Sequence, residues 1–272
     1  MQVKKHGWIM IAYLIATAVW IWLRDLSWLG SVEDTLPVLC ALPISWWLGQ
    51  PWKRLTNPSE RSTSALVIGC LLIIGGVVAD LTLLMTLGWT ALLFRYLESS
   101  FAPSGCGLRR LILLPILAFP WIATDFNIIG WWFRLSGAWM SAQLFSLVGF
   151  SVEQQGTFVT VEGLPVSIEA ACSGLNLLQS LLIAGSALAI LKLPSSRRFW
   201  IAIALLPLIA WLTNTVRILF ITVIALTFGV DFAVGLFHTW GGILVIVLMF
   251  IVCWKVFQWL QNGSTDQAPP NK

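Results

Sequence analysis

The sequence predicts an all-α polytopic membrane protein of about eight transmembrane helices, with a short outer-face hairpin and an interfacial helix. Two observations carry this. Of 272 residues, 58% are hydrophobic and only 10% charged, where a soluble domain holds about 25% charged and about 45–50% apolar residues. With a mean hydropathy of +0.86, a soluble core of this length cannot hide the apolar surface, so lipid has to solvate much of it. The second observation is that the charges fall in short clusters between apolar runs.

A helix needs roughly 17–25 apolar residues to cross the hydrocarbon core. The first run is Gly7–Leu23; it lacks a small-residue cleavage site and reads as a retained span. Leu36–Leu48 is a short second. The stretch Ala65–Leu97 is too long for one crossing and divides at Asp80 into two. Leu111–Thr124, Ala171–Leu191, Phe199–Phe228 and His238–Trp254 complete the set.

Charge placement tests the count. With a cytoplasmic amino terminus, eight spans leave the carboxyl terminus cytoplasmic too. Thirteen of the 16 basic residues then lie inside: Lys4, Lys5, Lys53, Arg54 and Arg61, then Arg95, Arg109 and Arg110, then Lys192, Arg197, Arg198, Lys255 and Lys272. Arg24, Arg134 and Arg217 fall outside or near the outer face. Of the acids, Glu60, Glu98 and Asp266 are inside and the other nine outside. Residues 1–260 read as one integral membrane domain, with an outer-face segment, 125–170, inserted before the sixth span. Residues 261–272, polar with two prolines, read as a disordered cytoplasmic tail. Within the outer segment, Gly137–Phe150 reads as an amphipathic or re-entrant helix at the interface. Thr157–Ile168 reads as a hairpin turning at Gly163 and Pro165. Trp46, Trp47, Trp131 and Trp132 sit near proposed span ends, as interfacial anchors do. No internal repeat suggests the two halves of a transporter.

Several classes fall away. A net charge of +4 without a continuous basic face excludes nucleic-acid binding. Cys40, Cys70, Cys106, Cys172 and Cys253 form no CxxC pair, so neither a zinc site nor a disulfide framework is expected, and no cofactor. There is no His-Glu-x-x-His for a metalloprotease and no Gly-x-Ser-x-Gly-like nucleophile for a rhomboid-type serine protease. Asp80 and Asp231 fit loops and not the facing spans of an aspartyl protease.

Three polar residues stand at the outer ends of three different spans: Cys172, Arg217 and His238. A thiol attacks as thiolate and titrates near 8.5 when free, so it needs help at about neutral pH. A helix amino terminus, where Cys172 is expected, favours an anion. Histidine can take or return the proton, and arginine can donate to an oxyanion. Asn214, one turn before Arg217, can orient it. The plainer readings are a small apolar filler for Cys172, a snorkelling cation for Arg217 and an interfacial structural role for His238. Glu169 either orients His238 or is simply solvated.

The chain resembles the exosortase/archaeosortase family of membrane-embedded cysteine transpeptidases. The resemblance rests on Ala171-Cys172-Ser173-Gly174, Asn214-x-x-Arg217-Ile218 and His238-x-x-x-Gly242, in order and each near the expected span end. It covers roughly Ala65 to Trp254. It implies Cys172 as nucleophile, His238 as acid/base and Arg217 as oxyanion stabiliser, with Asn214, Glu169, Ser173 and Gly174 supporting. It also implies the partners: exported proteins whose tails carry a motif, a transmembrane helix and a basic cluster. These are cut at the outer face of the inner membrane and passed to an acceptor such as a lipid or polysaccharide. Two positions depart from the family pattern: Glu169 stands three residues before the cysteine where two is usual, and Asn176 stands where many members have arginine. The alternative from another class is a transporter or assembly scaffold whose polar triad lines a pathway.

Overall fold

The computed structural model describes residues 2–29, 32–55, 63–103, 107–167, 175–236 and 242–262, which divide into two compact units, Met1–Phe126 and Asn127–Lys272. The first unit holds α1 (Gln2–Arg24), a 3-10 turn (Ser27–Leu29), α2 (Val32–Leu48), β1 (Trp52–Arg54), α3 (Thr63–Ala79), α4 (Thr82–Ser100) and β2 (Phe101–Pro103). It closes with three short helices, α5 (Leu108–Leu111), α6 (Leu113–Leu117) and α7 (Trp121–Asp125). The second holds α8 (Asn127–Leu147), the strands β3 (Val152–Gln155), β4 (Phe158–Val161) and β5 (Leu164–Ser167), then α9 (Leu175–Lys192), α10 (Ser196–Phe228), α11 (Val230–Leu236) and α12 (Gly242–Asn262).

The long apolar stretch of the first unit breaks at Asp80, as its length requires. Asp80 takes φ 59°, a left-handed conformation that aspartate tolerates, and the Leu81 N–H closes the turn onto the Gly76 carbonyl at 2.9 Å. The α3–α4 hairpin is held by close backbone approach. A Cβ on Gly88 would lie 2.5 Å from the Gly69 carbonyl oxygen and 2.8 Å from the Ile73 nitrogen. Lipid gives apolar helices no reason to prefer each other over acyl chains, so small residues that let backbones touch supply the association.

Hydrogen bonds sort the ends of these helices. At one end Arg24 pairs with Asp80, and Asp125 Oδ2 accepts the Leu83 N–H at 2.6 Å. That carboxylate caps α4, whose own N-cap, Leu81, has no side chain able to do so. Asp25 accepts the Ser27 N–H at 2.8 Å nearby, a bond that holds its carboxyl below the ordinary aspartate range. At the other end β1 and β2 pair antiparallel, Lys53 against Ala102 and Arg54 against Phe101. The Leu55 N–H reaches the Ser100 carbonyl at 3.1 Å, and Trp46 stacks on Trp52 with centroids 4.9 Å apart.

The segment expected as one helix over Leu111–Thr124 is instead the broken run α5–α7. Prolines explain the breaks, because each removes the N–H that would satisfy the carbonyl four residues earlier. Pro115 releases the Leu111 carbonyl, which accepts from Ser45 Oγ at 3.3 Å. Pro120 releases the Ile116 carbonyl, which accepts from Trp121 Nε1 at 2.8 Å. The Ala118 carbonyl takes Trp22 Nε1 at 2.8 Å. The run still travels between the two ends, from Leu111 beside Ser45 in the last turn of α2 to Asp125 at the start of α4.

In the second unit the expected hairpin is a three-stranded antiparallel meander in the order β3-β4-β5. Glu162 and Gly163 both take positive φ, 52° and 79°, which a two-residue type I′ turn demands. Glu162 Oε1 accepts the Ser151 N–H at 2.6 Å and so has a structural task. Pro165 lies within β5, opposite Thr160, past the turn. The helix expected over Gly137–Phe150 begins ten residues earlier and ends at Leu147. It buries Ala138, Ala142 and Phe145 against Val159 and Val161 of the sheet and Ile218 of α10.

Among the described residues α10 is the helix long and apolar enough to cross a membrane unaided, and shorter apolar stretches lie in α1, α2, α3 and α9. Its 33 residues span about 50 Å against a hydrocarbon core of about 30 Å. Part of it stands clear of the core.

A matched pair tests the close packing of α3 on α4. Gly88→Ala should lower the melting temperature in detergent, with a cost of about 1–3 kcal/mol. Gly75→Ala, where an added Cβ meets nothing within 4 Å, should leave it unchanged or slightly raised. Equal effects would remove backbone contact as the cause.

Candidate active site

Of the residues singled out in the sequence, Asn214 and Arg217 are described; Cys172, Glu169, Ser173, Gly174 and His238 lie outside the described residues. Asn214 and Arg217 stand one turn apart on α10. Asn214 is buried, 1% exposed. The threonines around them satisfy themselves within the helix: Thr213, Thr215 and Thr222 donate to carbonyls one turn back at 2.8, 3.0 and 2.9 Å. Arg217 has no such outlet. Its side chain is half-buried, and its Nε is shielded with no hydrogen-bond partner among the described residues.

One face of α10 is fixed by α8. Trp211 Nε1 donates to Ser136 Oγ at 2.8 Å, and Ile218 Cδ1 would stand 2.9 Å from a Cβ on Gly137. Ser136, Gly137 and Trp211 were not singled out in the sequence, and no motif or charge marks them. They reveal themselves only as a contact.

The opposite relation, to α9, sets the level of Arg217. The two helices form an antiparallel hairpin through Leu193–Ser195, with Leu206 filling the space over Gly185, where a Cβ would meet it at 2.6 Å. Eleven residues separate Leu206 from Arg217. At 3.6 residues per turn that returns the side chain to within about 20° of the same line, about 16 Å along the axis. Leu175, the first residue of α9, lies ten residues before Gly185, about 15 Å in the same direction. The start of α9 and Arg217 are therefore level. At the far end Lys192 Nζ sits 3.9 Å over the Trp254 ring. Gly242, the start of α12, is six residues from the end of α11, so α12 must begin back toward Arg217, about 18 Å from Trp254. Beyond Arg217, α10 packs its last turns, through Ile224 and Ala225, on Ala233 of α11 and Leu164 of β5.

The described geometry thus gathers the starts of α9 and α12 and a half-buried guanidinium at one end of a three-helix group. In the sequence Cys172 is three residues before the first of these starts and His238 four before the second. The family model for transmembrane exosortase (Exosortase_EpsH) matches residues 28–255, most of the chain. The chain belongs to the transmembrane exosortase family. Membership makes it an integral membrane protein. No curated protein and no solved structure matches this exosortase.

A guanidinium kept half out of water, its Nε without an acceptor among the described residues, costs stability, whatever it contributes to chemistry. Arg217→Met in this exosortase should therefore melt no lower than the parent, and higher if the charge is strained. Ile218→Ala, which empties the α8–sheet contact, should cost about 2–4 kcal/mol. Thermal unfolding of both variants in one detergent decides it; a large loss for Arg217→Met would make Arg217 a structural residue.

Proposed function

We propose that this exosortase is a cysteine transpeptidase that processes carboxyl-terminal sorting tails of exported proteins at the outer face of the inner membrane. The observation that carries the reading is Arg217: a guanidinium whose Nε has no acceptor among the described residues, level with the helix start that Cys172 precedes in the chain. A buried donor left open in the free protein is what an oxyanion generated only during reaction would need.

In this reading the Cys172 thiolate attacks the peptide carbonyl, forming the carbon–sulfur bond, while Arg217 donates to the oxyanion. The carbon–nitrogen bond then breaks, and His238 gives its proton to the leaving amine. The resulting thioester is resolved by an amine or hydroxyl of the acceptor, whose proton returns to His238, or by water. The eighteen-residue α9, beginning just after Cys172, brings the positive end of its dipole toward the nucleophile's segment and favours thiolate. Asn214 orients Arg217 from one turn away, and Glu169, Ser173 and Gly174 support the nucleophile.

The same proposal places eight crossings, both termini in the cytoplasm and the site on the outer side. The first unit supports this sorting of charge: Lys53, Arg54 and Arg95 lie toward the β1–β2 end, while Asp80 and Asp125 lie at the other. The substrate's own helix packs laterally against the last three spans.

Co-expression with a protein bearing a motif, helix and basic cluster tests the chemistry. Cys172→Ala and His238→Ala should abolish processing, and Arg217→Ala should slow it by about 10²–10³-fold. Hydroxylamine should trap the thioester as a hydroxamate at the new carboxyl end. Undiminished processing by Cys172→Ala would end the proposal and favour a scaffold. The mass of the product, acceptor-linked or free acid, separates transfer from hydrolysis.

A further inference from the structure

The first unit contains a second guanidinium that the sorting chemistry does not use. Arg95 lies five residues before the end of α4, about 8 Å inside that helix end, and its Nε is buried with no hydrogen-bond partner among the described residues. It lines a cavity of about 360 Å³ between α1, α3 and α4, together with Tyr13, Leu66, Cys70, Leu92 and Ser99. That volume falls within the range of roughly 300–1,000 Å³ typical of small-molecule sites. Ser99 already donates to the Tyr96 carbonyl at 3.0 Å. The Tyr13 and Tyr96 hydroxyls make no hydrogen bond among the described residues, which leaves Arg95 and these two tyrosines as the donors on offer.

No acid of this unit answers that charge among the described residues. Asp80 is paired with Arg24, Asp125 is bonded to the Leu83 N–H and Asp25 to the Ser27 N–H, all at the opposite helix ends. Glu98, one turn beyond Arg95, is exposed and within ion-pair distance of no cation among the described residues. Among the described residues nothing supplies the counter-charge, which leaves the place to an anion from outside the chain. The cavity rim is apolar and open, with Ile9 67% and Leu66 38% exposed. In an integral membrane protein such a rim faces acyl chains, which excludes a ligand that arrives through water.

We propose that this cavity holds one anionic phospholipid, its phosphate on Arg95 and the Tyr13 hydroxyl and an acyl chain along Leu66, Cys70 and Leu92. The depth suits a headgroup: Arg95 sits toward the end that carries Lys53 and Arg54, where lipid phosphates are the abundant anions. A guanidinium forks onto two phosphate oxygens, a geometry that lysine cannot reproduce.

The full-length protein, delipidated in detergent, tests this with phosphatidylglycerol as probe. Native mass spectrometry should show one phosphatidylglycerol retained, and adding it should raise the melting temperature. Arg95→Met should weaken binding at least tenfold and Tyr13→Phe by a few-fold; the milder Tyr13→Phe carries the test if Arg95→Met does not fold. Equal binding of phosphatidylcholine would show a generic acyl groove and overturn the headgroup assignment. An equal melting shift with inorganic phosphate would show a free-anion site and overturn the lipid. Lys53→Ala with Arg54→Ala losing as much as Arg95→Met would show diffuse surface attraction and overturn the site. Cleavage of sorting tails is a separate readout, so failure here leaves the transpeptidase reading standing.

Discussion

Inside lipid a carbonyl or N–H that loses its helical partner has no water to replace it, and each such loss costs several kcal/mol by order of magnitude. Much of this chain can be read as a set of answers to that constraint. Pro115 and Pro120 free carbonyls at Leu111 and Ile116, and the molecule puts Ser45 and Trp121 against them. The capless start of α4 receives a carboxylate from forty residues away, Asp125. Trp89 Nε1 finds the Leu14 carbonyl at 2.7 Å in the buried interior. Trp22 and Trp121, not among the tryptophans read as interfacial anchors, are hydrogen-bond donors to the broken helix.

The exceptions then stand out by kind. Thr86, Thr90, Ser141 and Ser186 hold buried hydroxyls without partners among the described residues, but a neutral hydroxyl costs far less to desolvate than an ion. Arg95 and Arg217 are the costly cases, each with a buried Nε and no acceptor among the described residues. The carbonyls freed by Pro115 and Pro120 are answered, whereas the Nε atoms of these two guanidinium groups have no partner among the described residues. Arg95 lies five residues before the end of α4, whereas Arg217 lies eleven residues inside the end of α10.

Helix periodicity and charge clusters made the hydrophobic framework legible. The break at Asp80 follows from length alone, and the helix ranges in the first unit follow the apolar runs. The run Leu111–Thr124 was less legible, because its apolar content is that of a span while its two prolines forbid a continuous helix. Strand β3, Val-Glu-Gln-Gln, was invisible, since it lacks the alternation that marks a half-buried strand; only its pairing with β4 makes it one. The start of α8 was missed for the opposite reason: Trp131 and Trp132 read as interfacial anchors and Arg134 as an outer-face charge, yet none of them stops a helix. At the site, Arg217 and Asn214 could be named from sequence because a charge in an apolar stretch is conspicuous. Ser136, Gly137 and Trp211, which fix α10 against α8, carry no such mark.

The length of α10 connects these points. A helix that only crossed the hydrocarbon core would need about 20 residues, whereas this one has 33. The first part packs on α9 through Leu206, and the last turns pack on Leu164 and Ala233. Arg217 falls between, at the level where α9 begins. If α10 ended one turn after Arg217, the guanidinium would have free water above it and would be solvated like any terminal arginine. The extra turns pack Ile224 and Ala225 on the sheet and α11 and cover that side of the helix. A half-buried donor meets a lower dielectric than one at a surface, so any bond it makes to an acceptor is worth more there. The overlong helix and the small sheet packed on it set that environment for Arg217.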